Sequence, residues 1–181
     1  MEYHIALLKL KEDLDFEGSN GKIGKIKICV RDVAYLAEIW EYVTGEVVGW
    51  GWTTEKTCCG ISDQLLATHQ DVITNYECRR RLDQRLTGSS LRQQIIPHCT
   101  VFCTDDTKIT MDDRAYLCKT DTGVPFIVNN TLYGIATWFM AECSVFPDQK
   151  KTRIVMYNRL SCYGLYSWIT ETTMKITNKL L

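Results

Sequence analysis

A succession of strand-length apolar segments, each closed off by Gly, Asn, Asp or Pro, constrains this chain more than any other feature. The segments are Ile5 to Leu10, Ile23 to Val30, Glu46 to Trp52, Leu65 to Ile73, Pro125 to Val128, Thr131 to Trp138 and Thr152 to Tyr157. Alternating or continuous apolar runs of this length, punctuated by turn residues, predict an all-β sandwich or barrel. Helix is scarce. The clearest candidate starts at about Ser167, where Trp168, Ile169, Thr172, Ile176 and Leu180 recur at roughly helical spacing. A shorter one is expected after Asn75 as N-cap, through Cys78 to Leu82. Asp32 to Val43 has mixed spacing and stays undecided between helix and extended chain, while Gly18 to Gly21 and Gly88 to Ser90 read as plain turns.

At 181 residues, with 45% hydrophobic and 24% charged residues, one soluble domain with one core is the default. Twenty-one Lys plus Arg against 22 Asp plus Glu leave a net charge of −1, so no overall field draws nucleic acid or an anionic membrane. The longest apolar runs, such as Ile5 to Leu8, are too short to span a bilayer, and the acidic start MEYHIALLKLKED lacks the pattern of an export signal. Nine cysteines, in contrast, are typical of a disulfide-bonded secreted protein. From this conflict we expect the true N-terminus to lie outside the given residues.

Function is written most clearly in Cys118, Lys119, Thr120, Asp121, Thr122, Gly123, Val124 and Pro125. This stretch resembles the Gly, Asp, Ser, Gly, Gly, Pro nucleophile loop of the trypsin-like, chymotrypsin-fold serine proteases. Asp121, Gly123 and Pro125 keep their places, whereas Thr122 stands at the serine position and Thr120 and Val124 at the outer glycines. Further matches follow in the family's order. Ile5 to Leu10 resembles its Asn, Asp, Ile, Ala, Leu, Leu strand, Ile28 to Val30 its connector, and Val48 to Gly51 its Ser, Gly, Trp, Gly strand. Val72 to Cys78, Thr100 to Thr104, Leu132 to Trp138, and Thr152 to Tyr157 with Trp168 and Ile169 complete the series.

The resemblance implies a chymotrypsin-like second β-barrel with a C-terminal α-helix and a remnant strand of the first barrel. It divides the chain into residues 1–45, first-barrel remnant and connection, 46–166, second barrel, and 167–181, the helix. It also implies disulfides between Cys78 and Cys103 and between Cys118 and Cys143. The family's third bridge would need cysteines near Gly45 and Val128, where there are none. Cys29, Cys58, Cys59, Cys99 and Cys162 are left over, and Cys29 resembles a connector cysteine that in some relatives ties to a segment upstream.

In that family a serine attacks, a histidine takes its proton, and a buried aspartate orients the imidazole. The aspartate position here is His4, which cannot supply the negative charge that stabilises an imidazolium. The resemblance puts the histidine in a Thr, Ala, Ala, His, Cys segment well upstream of His4, so the base is expected to be missing from the given residues. Thr122 keeps a hydroxyl, but its β-branch restricts χ1, and losing one member of such a unit costs on the order of 10⁴ to 10⁶ in turnover. Thr120, at the oxyanion-hole position, replaces a glycine whose backbone freedom shapes that hole. The substrate-pocket positions are Tyr116, Thr137, Trp138 and Phe139; Tyr116 and Phe139 are expected to close or reshape the pocket. Asp121, which in active relatives pairs with a freed N-terminal amine, is expected to find another donor or stay exposed.

Other constellations point to less. Cys58, Cys59, His69, Cys78, His98, Cys99 and Cys103 offer zinc-type donors, but no paired Cys, x, x, Cys occurs, so no metal and no cofactor is expected. His69 and His98 read as half-exposed strand or loop residues. Arg79, Arg80, Arg81, Arg85 and Arg92 read as a solvated face, since Glu77 and Asp83 share the segment. Asn129, Asn130 and Thr131 form an N-glycosylation sequon on an expected hairpin turn, and equally a turn whose asparagines tolerate positive φ.

The expectation is a catalytically inactive homologue of the trypsin-like proteases that acts by binding, as a decoy, scaffold or regulator of proteolysis. Its partners would be proteases, protease inhibitors or other secreted proteins, with no nucleic acid and no membrane span, at an extracellular location. Two alternatives stay open: a serine-type endopeptidase whose upstream catalytic half is missing from this chain, and a truncated product without function. For the latter speak the extra residues around Ser161 to Tyr166, which resemble translated non-coding sequence, and an orphan strand from Ile5 to Leu10 that would expose an apolar edge.

Overall fold

The alternation along Leu66–Ile73, in which Gln70, Val72 and Ile73 are buried while Ala67 and His69 face solvent, is the pleat of a strand with one face on a core. The structure, a computed structural model, describes residues 5–30, 43–51, 62–85, 100–105, 117, 121–139 and 154–178. In these residues the order is β1 (Lys27–Ile28), β2 (Thr44–Gly49), β3 (Leu66–Ile73), α1 (Asn75–Arg85), β4 (Val101–Asp105), β5 (Pro125–Val128), β6 (Thr131–Phe139), β7 (Val155–Arg159) and α2 (Tyr163–Asn178). Strands run side by side in the order β6, β5, β2, β3, β4, β7, and pairing of β7 with β6 closes the ring. All six are antiparallel to their neighbours. Closure removes the exposed edges that an open sheet would leave. The short β1 joins β6 in parallel, with Ile28 opposite Leu132.

Inside the barrel Phe102, Phe126 and Tyr157 meet as a trio, with ring centroids 5.2 to 5.3 Å apart. Val47, Val72, Ala136 and Val155 complete their surroundings. Large rings fit there because a strand residue beside them is small. A Cβ at Gly134 would lie 2.6 Å from the Phe102 ring and 2.9 Å from the Asn158 carbonyl oxygen. A buried polar pair also crosses the wall, where the Thr104 hydroxyl donates to Gln70 Oε1.

Helix α1 is held to the barrel by the Cys78–Cys103 disulfide, whose Cα atoms are 6.0 Å apart. Around it Ile73, Leu82, Val101, Ile154 and Met156 form a second buried cluster. The helix starts with Thr74 as its cap, because the Glu77 amide donates to Thr74 Oγ1 at 3.1 Å; the expected cap, Asn75, is the first helical residue. Thr74 and Glu77 have the Thr, x, x, Glu spacing of a capping box, but the Glu77 carboxylate turns along the helix instead. It accepts from Arg80 Nε and Nη2 (2.8 and 2.7 Å) and from Arg81 Nε (2.6 Å). Arg81 also donates from Nη1 to Asp105 on β4 at 2.6 Å. Two of the arginines expected on a solvated face are therefore tied into ion pairs.

The hydrogen bond from Arg80, reinforced by Arg81 and opposed by partial burial, holds the Glu77 pKa at about 2 against an ordinary 4.5. A folded-state pKa below the unfolded value means stabilisation that is complete above about pH 4.5 and is lost as the pH falls toward 2. The urea midpoint is expected to drop across that window, and to drop less in Glu77→Gln. Superimposable pH curves for the two proteins would rule out this contribution.

Several expected boundaries move. Residues Ile5 to Leu10 form no strand; Ile5 and Leu7 instead pack against the cluster of Leu160, Leu165 and Ile169, as Leu132 does, and Lys9 Nζ donates to the Ile176 carbonyl at 3.5 Å. The alternation is real, but its inward face meets α2 rather than a partner strand, and Leu8 on the other face is 88% exposed. The expected strand Ile23 to Val30 shrinks to β1, while Glu46 to Trp52 becomes 44–49, and Trp50 stands exposed past its end. In place of Thr152 to Tyr157 the strand is 155–159. The C-terminal helix starts at Tyr163, four residues before Ser167, and Leu160, Cys162 and Leu165 are buried. Residues read as extra sequence thus supply core. Asp32 to Tyr42 and Gly88 to Ser90 lie outside the described residues.

Candidate functional site

The second half of the expected nucleophile loop is a tight turn between buried anchors. Asp121 opens it and is only 5% exposed; the Val124 amide closes it by donating to the Asp121 carbonyl at 3.1 Å. Gly123 takes φ +97°, in the region that side chains disfavour, which is why a glycine stands there. Its amide donates to the Ala136 carbonyl at 2.8 Å, and the Ala136 amide donates to the Val124 carbonyl at 2.9 Å. These bonds stitch the turn to β6. Thr122 is left at its exposed tip. Gly123→Ala is expected to cost about 1–3 kcal/mol of stability from the strained φ; a melting temperature equal to that of the parent chain would contradict this reading of the turn.

Asp121 is placed by a distant part of the chain. Gly49 ends β2 and Gly51 follows it, and a Cβ at Gly51 would overlap the Asp121 carboxylate. Asp121 is therefore buried against the Gly49, Trp50, Gly51 segment, which removes the expected alternative of an exposed side chain. Sequence reasoning noticed Gly49 and Gly51 only as part of a strand match. Their function as the floor under Asp121 could not be found from spacing, because the two segments are far apart in the chain.

Of the positions expected to form a pocket, Thr137 is half-buried on β6, directly after the Ala136 that binds the turn. Trp138 and Phe139 continue β6 opposite Met156 and Val155. The turn that carries Thr122 is thus bonded to β6 at Ala136, one residue before the 137–139 segment. His4, Tyr116, Cys118, Thr120 and Cys143 lie outside the described residues, as do Cys58, Cys59, His98 and Cys99. Cys29 and Cys162 are buried thiols. His69 is exposed on β3. Asn129 and Asn130 both take positive φ, 47° and 56°, in an exposed two-residue turn between β5 and β6, the backbone that a tight hairpin requires.

Among the described residues no three His, Cys, Asp or Glu side chains converge to hold a metal ion. No described helix is long and apolar enough to cross a membrane.

Comparison with known proteins agrees with this geometry. The family model described as Trypsin matches residues 1–160. Hypodermin-A of Hypoderma lineatum is 30% identical over 138 residues, covering 76% of this chain and 44% of that protein. Kallikrein 1-related peptidase-like b4 of Mus musculus is 27% identical over 124 residues, covering 68% and 40%. The chain thus spans less than half the length of both relatives. Among solved structures, that of neuropsin, a serine protease expressed in the limbic system of mouse brain, superposes with a TM-score of 0.56 at 16% identity, covering 84% of this chain and 55% of that one. That likeness shows the fold, a six-stranded antiparallel barrel followed by a helix. The match over most of its length shows that the chain belongs to the trypsin family.

Proposed function

We propose that this chain is a catalytically silent member of the trypsin family that acts by binding other proteins, as a decoy, scaffold or regulator of proteolysis. The observation that carries the reading is Thr122, exposed at the tip of a turn whose sequence resembles the family's nucleophile loop with threonine in place of serine. The turn around it keeps its buried Asp121 and its left-handed Gly123. A fold that retains the turn while changing the reacting side chain is what a binding protein of this ancestry would have. His4, at the aspartate position, and Thr120, at the oxyanion position, support the same conclusion from separate parts of the mechanism. Tyr116 and the β6 residues Thr137, Trp138 and Phe139 would then shape a protein-binding surface rather than a substrate pocket.

Proteases, protease inhibitors or other secreted proteins fit as partners. The Cys78–Cys103 disulfide and the nine cysteines support an extracellular location, where the exposed Asn129 would be a glycosylation site. A Cys118–Cys143 bridge would clamp the start of the turn.

The second reading, a serine-type endopeptidase, is favoured by one observation: Thr122 keeps a hydroxyl on a turn of the family's shape. Peptide-ester hydrolysis separates the two. Under the proposal the protein hydrolyses esters no faster than its Thr122→Ala variant, and Thr122→Ser gains nothing, because His4 at the aspartate position cannot orient and stabilise the base that a serine needs. Hydrolysis that disappears in Thr122→Ala would establish the second reading.

A further inference from the structure

Two buried cysteines that the site does not use, Cys29 and Cys162, lie on segments that an irregularity in β6 draws to neighbouring carbonyls. Opposite β5, Ile127 pairs with Leu132 and Phe126 pairs with Gly134, so Tyr133 is the extra residue of a bulge. In a regular strand successive carbonyls point to opposite edges; an extra residue resets that alternation. Leu132 and Tyr133 accordingly both accept hydrogen bonds from outside the β5 pairing. The Cys29 amide donates to the Leu132 carbonyl at 2.8 Å, and the Leu160 amide donates to the Tyr133 carbonyl at 3.1 Å. β1 runs parallel to β6 and β7 runs antiparallel to it, so the end of the first and the end of the second approach each other head to head along the same edge. Just beyond Leu160 the chain turns, with the Cys162 amide donating to the Arg159 carbonyl at 3.1 Å, and α2 begins at Tyr163. Cys29 is 4% exposed and Cys162 7%.

We propose that Cys29 and Cys162 form a second disulfide in the oxidised protein, strapping the connector to the start of α2. The register places both residues at the same end of β7, and a disulfide needs that proximity before anything else. The chemistry is thiol–disulfide exchange with a small disulfide such as oxidised glutathione. One cysteine thiolate attacks a glutathione sulfur and expels a glutathione thiolate. The second then attacks the mixed disulfide at the protein sulfur and expels the other. The two protein protons end on the two glutathione thiols, and the glutathione disulfide takes up the two electrons. Exchange precedes final burial, since neither sulfur is open in the folded chain. This bridge puts the disulfide partner of Cys29 inside the chain, in place of the upstream segment that the resemblance alone suggests. It also means that a cut between Val30 and Val43 would leave residues 5–30 attached to the barrel.

The test is peptide mapping by mass spectrometry of the full chain, refolded in a glutathione redox buffer, alkylated without reduction and digested. The expected result is a peptide pair carrying Cys29 and Cys162, lighter than the two separate peptides by two hydrogen atoms and split by reductant. Alkylated Cys29 and Cys162, or either one joined to Cys58, Cys59 or Cys99, would overturn the proposal. Stability gives an independent reading. Cys29→Ser, Cys162→Ser and the double variant should lower the melting temperature of the oxidised chain by the same several degrees, because each removes the same bond. Losses that simply add in the double variant would contradict a shared bond.

Discussion

Phe102→Ala is expected to cost about 3–5 kcal/mol of unfolding free energy, the range for removing a fully buried aromatic side chain. The residue touches both other members of the ring trio, stacked on Tyr157 with 10° between planes and edge-on to Phe126. Its deletion would therefore remove two ring contacts, each worth about 0.5–1.5 kcal/mol beyond area burial, and leave a cavity in the centre of the barrel. The site would feel the loss as well. Phe126 follows Pro125 at the end of the turn carrying Thr122, and Gly134, which packs on Phe102, shares β6 with Thr137, Trp138 and Phe139. Urea denaturation measures the effect directly. A loss under about 1 kcal/mol would mean that the trio does not organise the core.

Arg81→Ala should cost about 3 kcal/mol, the low end for breaking a buried pair, because it takes a partly buried cation away from the buried Asp105 carboxylate. The guanidinium is 15% exposed and joins Asp105, 5% exposed, at 2.6 Å while also holding Glu77. The variant strips the buried Asp105 carboxylate of this cation. Replacing both partners by apolar residues of similar size, Arg81→Met with Asp105→Leu, should recover much of the loss, since the cost of burying two charges disappears with them. A double variant as unstable as Arg81→Ala alone would show that the pair acts through more than charge compensation. Both proteins can be compared by thermal and urea unfolding at neutral pH, where Glu77 stays ionised.

The sequence revealed the barrel most sharply where local chemistry decides the geometry. β5 is Pro125–Val128, as the pattern predicts, because the Asn129–Asn130 turn fixes where it must stop. Boundaries set by distant partners were less legible. Ile5 and Leu7 alternate like a strand, yet their apolar face is satisfied by Leu165 and Ile169 of α2, which periodicity alone cannot distinguish from a neighbouring strand. Gly164 hides the first turn of α2, whose Leu165 and Ile169 lie on one buried face at i, i+4 spacing. At α1 two capping residues stand side by side, and the glutamate three positions after Thr74 is the signal that picks it over Asn75. The turn around Gly123 was readable by resemblance. The burial of Asp121 on Gly51 was not, since nothing local to either residue predicts it.

Covalent labelling of residue 122 tests the central claim most directly. The protein, isolated from its source, would be treated with a fluorophosphonate that phosphonylates activated hydroxyl nucleophiles and then weighed intact and mapped by mass spectrometry. A silent homologue predicts no adduct on Thr122 under conditions that label an active trypsin-like protease to completion. Stoichiometric modification of Thr122, lost on denaturing the protein first, would show that the turn still activates its hydroxyl and would contradict the account.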